Sequence, residues 1–204
     1  MLTDLPNVLT ISRIAAIPVL IAVAALRQPW WDFAAMLVFS VAAITDYFDG
    51  ALARSRRQQS DFGRMLDPIA DKLLVGAALM LLAGEQRLSN WGLYPAIVIL
   101  LREILVSGLR EYLAGLRVGL PVTGLAKWKT GFQMGALGTL LAGDTSAQWL
   151  GIPWLPVSLI GEAMLWVAAL LTLVTGWDYL NAGLLHVTRS TATPPTPAKT
   201  PGRH

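Results

Sequence analysis

Charge is scarce along this chain, and its scarcity is patterned. Of 204 residues only 14% are Asp, Glu, Lys or Arg, against about 25% in an ordinary soluble domain. Apolar residues gather instead into six stretches, 8–26, 30–53, 66–83, 91–114, 124–142 and 154–176, separated by short polar connectors. Each is close to the ~20 residues a helix needs to cross a ~30 Å hydrocarbon layer. The pattern predicts an all-α integral membrane protein of six transmembrane helices. It leaves too little polar surface for a soluble globule and too much apolar length for a disordered chain. Cysteine is absent, which removes disulfide scaffolds, thiolate zinc sites and thiol nucleophiles.

The stretch ends carry orientation signals. Trp30, Trp31, Trp91, Trp149, Trp154 and Trp177 stand at or near them, where an amphipathic ring suits the headgroup layer. Arg54, Arg56, Arg57 and Arg64 lie between the second and third stretches, and Arg110, Arg117, Lys127 and Lys129 in or beside the connector between the fourth and fifth. The opposite connectors hold Arg27 and Arg87 beside Asp32, Glu85 and Asp144. Positive-inside bias then puts both termini and both basic connectors in the cytoplasm, with the protein in the cell membrane. Residues 2–13 are expected to form a short interfacial helix leading into the first span. Asp4 and a late Arg13 argue against a cleaved signal. The expected division is a six-helix domain over 1–185 and a disordered Pro/Thr-rich cytoplasmic tail over 186–204.

Against this background, one acidic cluster is anomalous. Asp46 and Asp49 are three apart, and Asp67 and Asp71 are four apart, so on helices each pair shares a face. Gly50, Ala53 and Gly63 are interleaved with them, and Arg54 follows. Four carboxylates at membrane depth cannot all remain ionised unless compensated. Two divalent cations would balance them, and oxygen-only ligation suits Mg²⁺ or Mn²⁺. Two hard ions side by side are a device for displacement at phosphorus. The small residues allow a phosphate-bearing ligand to approach closely, and Arg54 offers it a fixed cation. A single Asp at a span end is ordinarily a cap or a surface charge, but four in helical register are hard to obtain that way. Asp61 falls off both stripes and reads as a solvated or capping residue. A cation transporter or channel is the competing class, since buried carboxylates would also serve an ion path. The aspartates, however, cluster near one membrane face, whereas a permeation route needs polar residues across the whole layer.

The run Asp46-x2-Asp49-Gly50-x2-Ala53-Arg54-x8-Gly63-x3-Asp67-x3-Asp71 resembles the signature of the CDP-alcohol phosphatidyltransferases at every defined position. Eight fixed residues over 26 positions make the pattern specific. The resemblance implies a six-helix membrane fold, usually homodimeric, with two divalent metals held by Asp46, Asp49, Asp67 and Asp71. It also implies that Asp49, Gly50, Ala53, Arg54 and Gly63 seat the CDP moiety of a CDP-linked lipid. By the same carry-over, Asp71 is the general base on the acceptor hydroxyl.

The acceptor must be sought elsewhere. Glu103, Ser107 and Arg110 fall at i, i+4 and i+7, and Thr123, Lys127 and Thr130 repeat that spacing. Arg110 with Lys127 or Lys129 would make a cationic pocket for a phosphate. The plainer alternative is a Glu103–Arg110 ion pair with basic residues reaching out to the headgroups. The segments LPNVLTISR, REILVSGLREYLA and LAKWKTGFQM resemble those of family members that use glycerol 3-phosphate. The implied reaction takes the phosphatidyl group from CDP-diacylglycerol to sn-glycerol 3-phosphate and releases CMP. Asn7, Thr10, Arg13 and Thr123 are candidates for the substrate entrance or pocket. Inositol phosphate, serine and phosphatidylglycerol remain alternative acceptors for the same fold.

Overall fold

The computed structural model describes the backbone of residues 5–56, 61–115 and 124–191, and side chains of residues 10–45, 66, 68–115, 124–177 and 179–181. Six helices follow one another: α1 (Leu5–Ala24), α2 (Pro29–Arg56), α3 (Asp61–Gly84), α4 (Leu93–Gly115), α5 (Gly124–Trp149) and α6 (Val157–Thr191). No strand occurs among the described residues. Each helix covers most of one of the six apolar stretches, so the all-α architecture follows the hydropathy pattern.

The boundaries differ in informative ways. The described part of the expected interfacial segment, from Leu5, runs into the first stretch as one helix to Ala24, with Pro18 inside it; nothing in the described part of 2–13 breaks the backbone ladder. Helix α6 runs to Thr191, so helix extends into the first residues of the stretch 186–204. Helix α5 continues past 142 to Trp149 through a kink at Gly143, whose φ of 63° and ψ of 176° are not helical.

The connectors are fixed by capping contacts. Ser89 Oγ accepts the Gly92 N–H at 3.0 Å just before α4, and donates to Glu162 of α6 at 2.7 Å. Asp144 accepts the N–H of Ser158 at 2.9 Å. That carboxylate satisfies one of the donors a helix start leaves without an intrahelical partner.

The helices α1, α2, α3, α5 and α6 enclose a core in which Leu20, Phe39, Leu74, Leu82, Leu137, Leu140 and Leu165 are fully buried, joined by Ile99 of α4. Helix α5 packs on α6 and α2, α1 packs on α2 and α3, and α4 packs on α6. Gly161 lets α6 approach α5 closely: a Cβ there would lie 2.7 Å from Leu140 Cγ and 3.3 Å from its backbone nitrogen. Outside the core the helices carry large exposed apolar side chains, among them Val41, Met80, Leu101, Ile104 and Leu170. Trp30, Trp91, Trp149, Trp154 and Trp177 are exposed as well. Among the described residues, Val157–Asn181 is the one helical segment long and apolar enough to cross a membrane, with shorter apolar segments at Thr10–Ala24 and Pro29–Thr45.

Candidate active site

The backbone of the acidic motif is helical on both sides of its connector. Helix α2 carries positions 46, 49, 50, 53 and 54, and α3 carries 63, 67 and 71. Spacings of three and four along continuous helices put each Asp pair on one helical stripe. The side chains of Asp46, Asp49, Gly50, Ala53, Arg54, Gly63 and Asp67 lie outside the described residues, as do those of Asn7 and Thr123. Among the described residues no three metal-ligating side chains gather.

Asp71 is described, and its surroundings are charged. Its carboxylate keeps 34% of its side-chain surface accessible, and the Lys72 ammonium lies 3.6 Å from it. The same ammonium lies 4.0 Å from Glu103 Oε2 on α4. Glu103 in turn takes a hydrogen bond from the buried Lys129 of α5, while Arg102 Nη1 stands 3.7 Å from Glu103 Oε1. Arg102 reaches across to α6: its Nη2 donates to Thr175 Oγ1 at 3.0 Å, and the guanidinium sits 5.8 Å from the centroid of the Tyr179 ring. Among the described residues, three cations therefore meet two carboxylates where α3, α4 and α5 converge. Accessibility falls inward, from Asp71 and Lys72 at 34% and 27% to Glu103 and Lys129 at 10% and 8%.

The structure sorts the basic residues expected near the acceptor. Lys129 is buried beside Glu103, but Arg110 and Lys127 are exposed. Thr130 is exposed too, and its hydroxyl donates to the Ala126 carbonyl at 3.0 Å. The inward face of α5 is the stripe Lys129, Gln133, Ala136, Leu137 and Leu140 rather than Lys127 and Thr130. Periodicity could not choose between them, because each stripe carries a lysine. Burial of Lys129 depends on a carboxylate 26 residues away. The anion Glu103 pairs with Lys129 and approaches Lys72 and Arg102, which is a different partnership from the Glu103–Arg110 alternative. Two of its cations were absent from the expected site. Lys72 directly follows Asp71 in the sequence, and that adjacency was the available signal; Arg102 adjoins Glu103 in the same way.

Thr10 and Arg13 of α1 are 3% and 4% exposed, which makes them lining residues of the interior. Arg13 borders a groove of about 400 Å³ between α1 and α2, walled otherwise by Ser12, Ala16, Leu37, Val38, Val41, Ala42 and Thr45. The groove is apolar along most of its length, and at Thr45 it adjoins the position of Asp46.

The donor set of the motif fits a hard divalent cation. It consists of carboxylates alone, in a chain with no cysteine, and such oxygen ligands favour Mg²⁺ or Mn²⁺ over softer metals. Asp71, the described member, is accessible rather than sealed by its ion pair.

A family model described as CDP-alcohol phosphatidyltransferase matches residues 3–174. A protein of Rickettsia bellii (strain RML369-C) named CDP-diacylglycerol–glycerol-3-phosphate 3-phosphatidyltransferase is 46% identical over 179 residues, covering 88% of this chain and 94% of the relative. A protein of the same name from Cereibacter sphaeroides is 40% identical, covering 89% and 96%. Another of that name from Shigella flexneri is 42% identical, covering 88% and 94%.

Proposed function

The chain belongs to the CDP-alcohol phosphatidyltransferase family, and from that membership we propose that it transfers the phosphatidyl group of CDP-diacylglycerol to sn-glycerol 3-phosphate. The products are phosphatidylglycerol phosphate and CMP, a step of phospholipid synthesis. The observation that carries this reading is the accessible Asp71 carboxylate beside the Lys72 ammonium, with Glu103 and the buried Lys129 behind it. A base next to an accessible ammonium suits an acceptor that carries both a hydroxyl and a phosphate.

Asp71 takes the proton of the acceptor hydroxyl, whose oxygen forms a bond to the lipid-side phosphorus. The bond from that phosphorus to the bridging oxygen breaks, and CMP leaves with the electron pair. Asp46, Asp49, Asp67 and Asp71 would hold two divalent ions, Mg²⁺ or Mn²⁺, which supply charge neutralisation of the pyrophosphate. Asp49, Gly50, Ala53, Arg54 and Gly63 seat the CDP moiety. The groove between α1 and α2 receives an acyl chain of the donor. Its apolar walls suit hydrocarbon, and it adjoins the position of Asp46.

We further propose that all six helices lie in the cell membrane, with both termini and the aspartates toward the cytoplasm, and that the protein is a homodimer. The exposed apolar side chains and the tryptophans at helix ends support a lipid-facing exterior. The test is CMP release by the purified protein in detergent with CDP-diacylglycerol and a panel of acceptors. Glycerol 3-phosphate with Mg²⁺ or Mn²⁺ should give the highest rate, and EDTA should abolish it. Faster turnover of serine, inositol phosphate or phosphatidylglycerol would overturn the acceptor assignment.

A further inference from the structure

The cations around Asp71 are arranged by one carboxylate. Among the described residues, Glu103 is the anion close to three of them: Lys129 in direct contact, Arg102 at 3.7 Å and Lys72 at 4.0 Å. Its two oxygens divide the work, Oε1 facing Lys129 and Arg102 and Oε2 facing Lys72. Three cations brought together in a mostly apolar bundle repel one another and are costly to desolvate. Glu103 offsets that cost and fixes where the ammonium groups stand. It cannot neutralise all three.

Lys72 occupies the junction. It lies at ion-pair rather than hydrogen-bond distance from both Asp71 and Glu103, and it is the most accessible of the three cations, at 27% against 11% for Arg102 and 8% for Lys129. An ammonium has three donors, and one held loosely between two carboxylates can turn a donor toward a ligand at little cost. A general base must come within about 3 Å of the proton it takes, so an acceptor held by Asp71 brings the rest of its short chain past Lys72.

The geometry points to Glu103 as a positioning residue that sets the Lys72 and Lys129 ammonium groups for the phosphate of the acceptor, with Lys72 as the group that touches it. This inference rests on the proposed use of glycerol 3-phosphate. It extends the acceptor pocket to Lys72, which neighbours the acidic motif, and gives Glu103 a task in substrate affinity that a bundle-stabilising ion pair would not have.

The experiment is initial-rate CMP release by the full chain in detergent, with metal and CDP-diacylglycerol saturating and glycerol 3-phosphate varied. Glu103→Gln should raise the KM for glycerol 3-phosphate by about tenfold to a hundredfold, the scale of losing a charged partner in a buried site. The KM for CDP-diacylglycerol should stay within about twofold of the unsubstituted protein, an arbitrary margin above ordinary assay scatter. Lys72→Met should act in the same direction. The double variant should do little more harm than the worse single one, because residues in one network are not additive. A KM for glycerol 3-phosphate that barely moves in Glu103→Gln, with loss confined to kcat or to thermal stability, overturns the inference. If Glu103→Gln does not fold, Lys72→Met decides alone, since its side chain is partly exposed: an unchanged KM overturns the inference. If the unsubstituted protein releases no CMP with glycerol 3-phosphate, it is the parent reading that has failed.

Discussion

The middle of α3 and the turn beyond its C-terminal end carry charged clusters built to opposite plans. Beyond its C-terminal end, the guanidinium of Arg87 is engaged on all three nitrogens. Nε meets Glu85 at 2.7 Å, Nη2 meets Asp32, and Nη1 donates to the Leu141 carbonyl at 2.8 Å. Asp32 completes its own set by accepting the Thr145 hydroxyl at 2.9 Å. About 20 Å away along the helix, at 1.5 Å per residue, Lys72, Arg102 and Lys129 share Glu103 and Asp71. Several of those separations are too long for hydrogen bonds. The first cluster has one cation with each nitrogen set against an oxygen; in the second, Lys72 stands at ion-pair rather than hydrogen-bond distance from both of its carboxylates. A closed cluster ties α2, α5 and the α3–α4 connector together. An open one, with an accessible ammonium, is suited to receive an anion.

The sharpest way to break this contrast is at Asp71. Asp71→Asn keeps the shape and removes the base, so CMP release should fall by about two to four orders of magnitude, while the thermal midpoint in detergent moves little. Side-by-side rate and melting measurements check it. Near-normal turnover would remove Asp71 from the base role. A collapse of the midpoint would make the open cluster as structural as the closed one.

Those two clusters also differ in how far they could be foreseen. The aspartates were legible because helical spacing and scarcity of charge act locally: four acids within 26 positions stand out in an apolar chain. The six helices were legible for the same reason, each being a long apolar run. Pairing across the bundle was not. Lys129 meets Glu103 across 26 residues, and Arg87 meets Asp32 across 55; such partners are set by how helices pack, which periodicity does not encode. Arg87 and Asp32 had been visible only as connector charges bearing on orientation. The same limit explains α5, where the lysine that turned inward, Lys129, is the one that finds a carboxylate, while Lys127 remains exposed.

At the closed end, Arg87→Met should act on stability alone. Removing one partner of a buried ion pair leaves the others uncompensated, at a cost of about 3 kcal/mol. Arg87 is 17% exposed and its partner Asp32 only 6%. The thermal midpoint should drop by several degrees on the usual scaling of free energy to melting temperature, with the KM for glycerol 3-phosphate unchanged. A raised KM would mean that the two clusters are coupled through α3 or α5.

A smaller effect, and a finer probe of the same independence, is expected at Gly143. Its φ of 63° with ψ of 176° belongs to a region that residues bearing a Cβ rarely adopt, at a cost of about 1–3 kcal/mol. Space is not the obstacle, because a Cβ there would sit 3.7 Å from Arg87 Nη1 and 3.8 Å from Thr145 Oγ1, both ordinary contacts. In a straight helix the Leu141 carbonyl would accept the N–H four residues on; at the kink it accepts from Arg87. Gly143→Ala therefore strains the backbone, and any relief by straightening α5 withdraws an acceptor from Arg87. The predicted result is a modest fall in thermal midpoint with unchanged kinetics. Combined with Arg87→Met, the loss should be less than additive, because both substitutions spend the same Arg87–Leu141 hydrogen bond. Full additivity would show that the kink and the arginine stabilise the closed end separately.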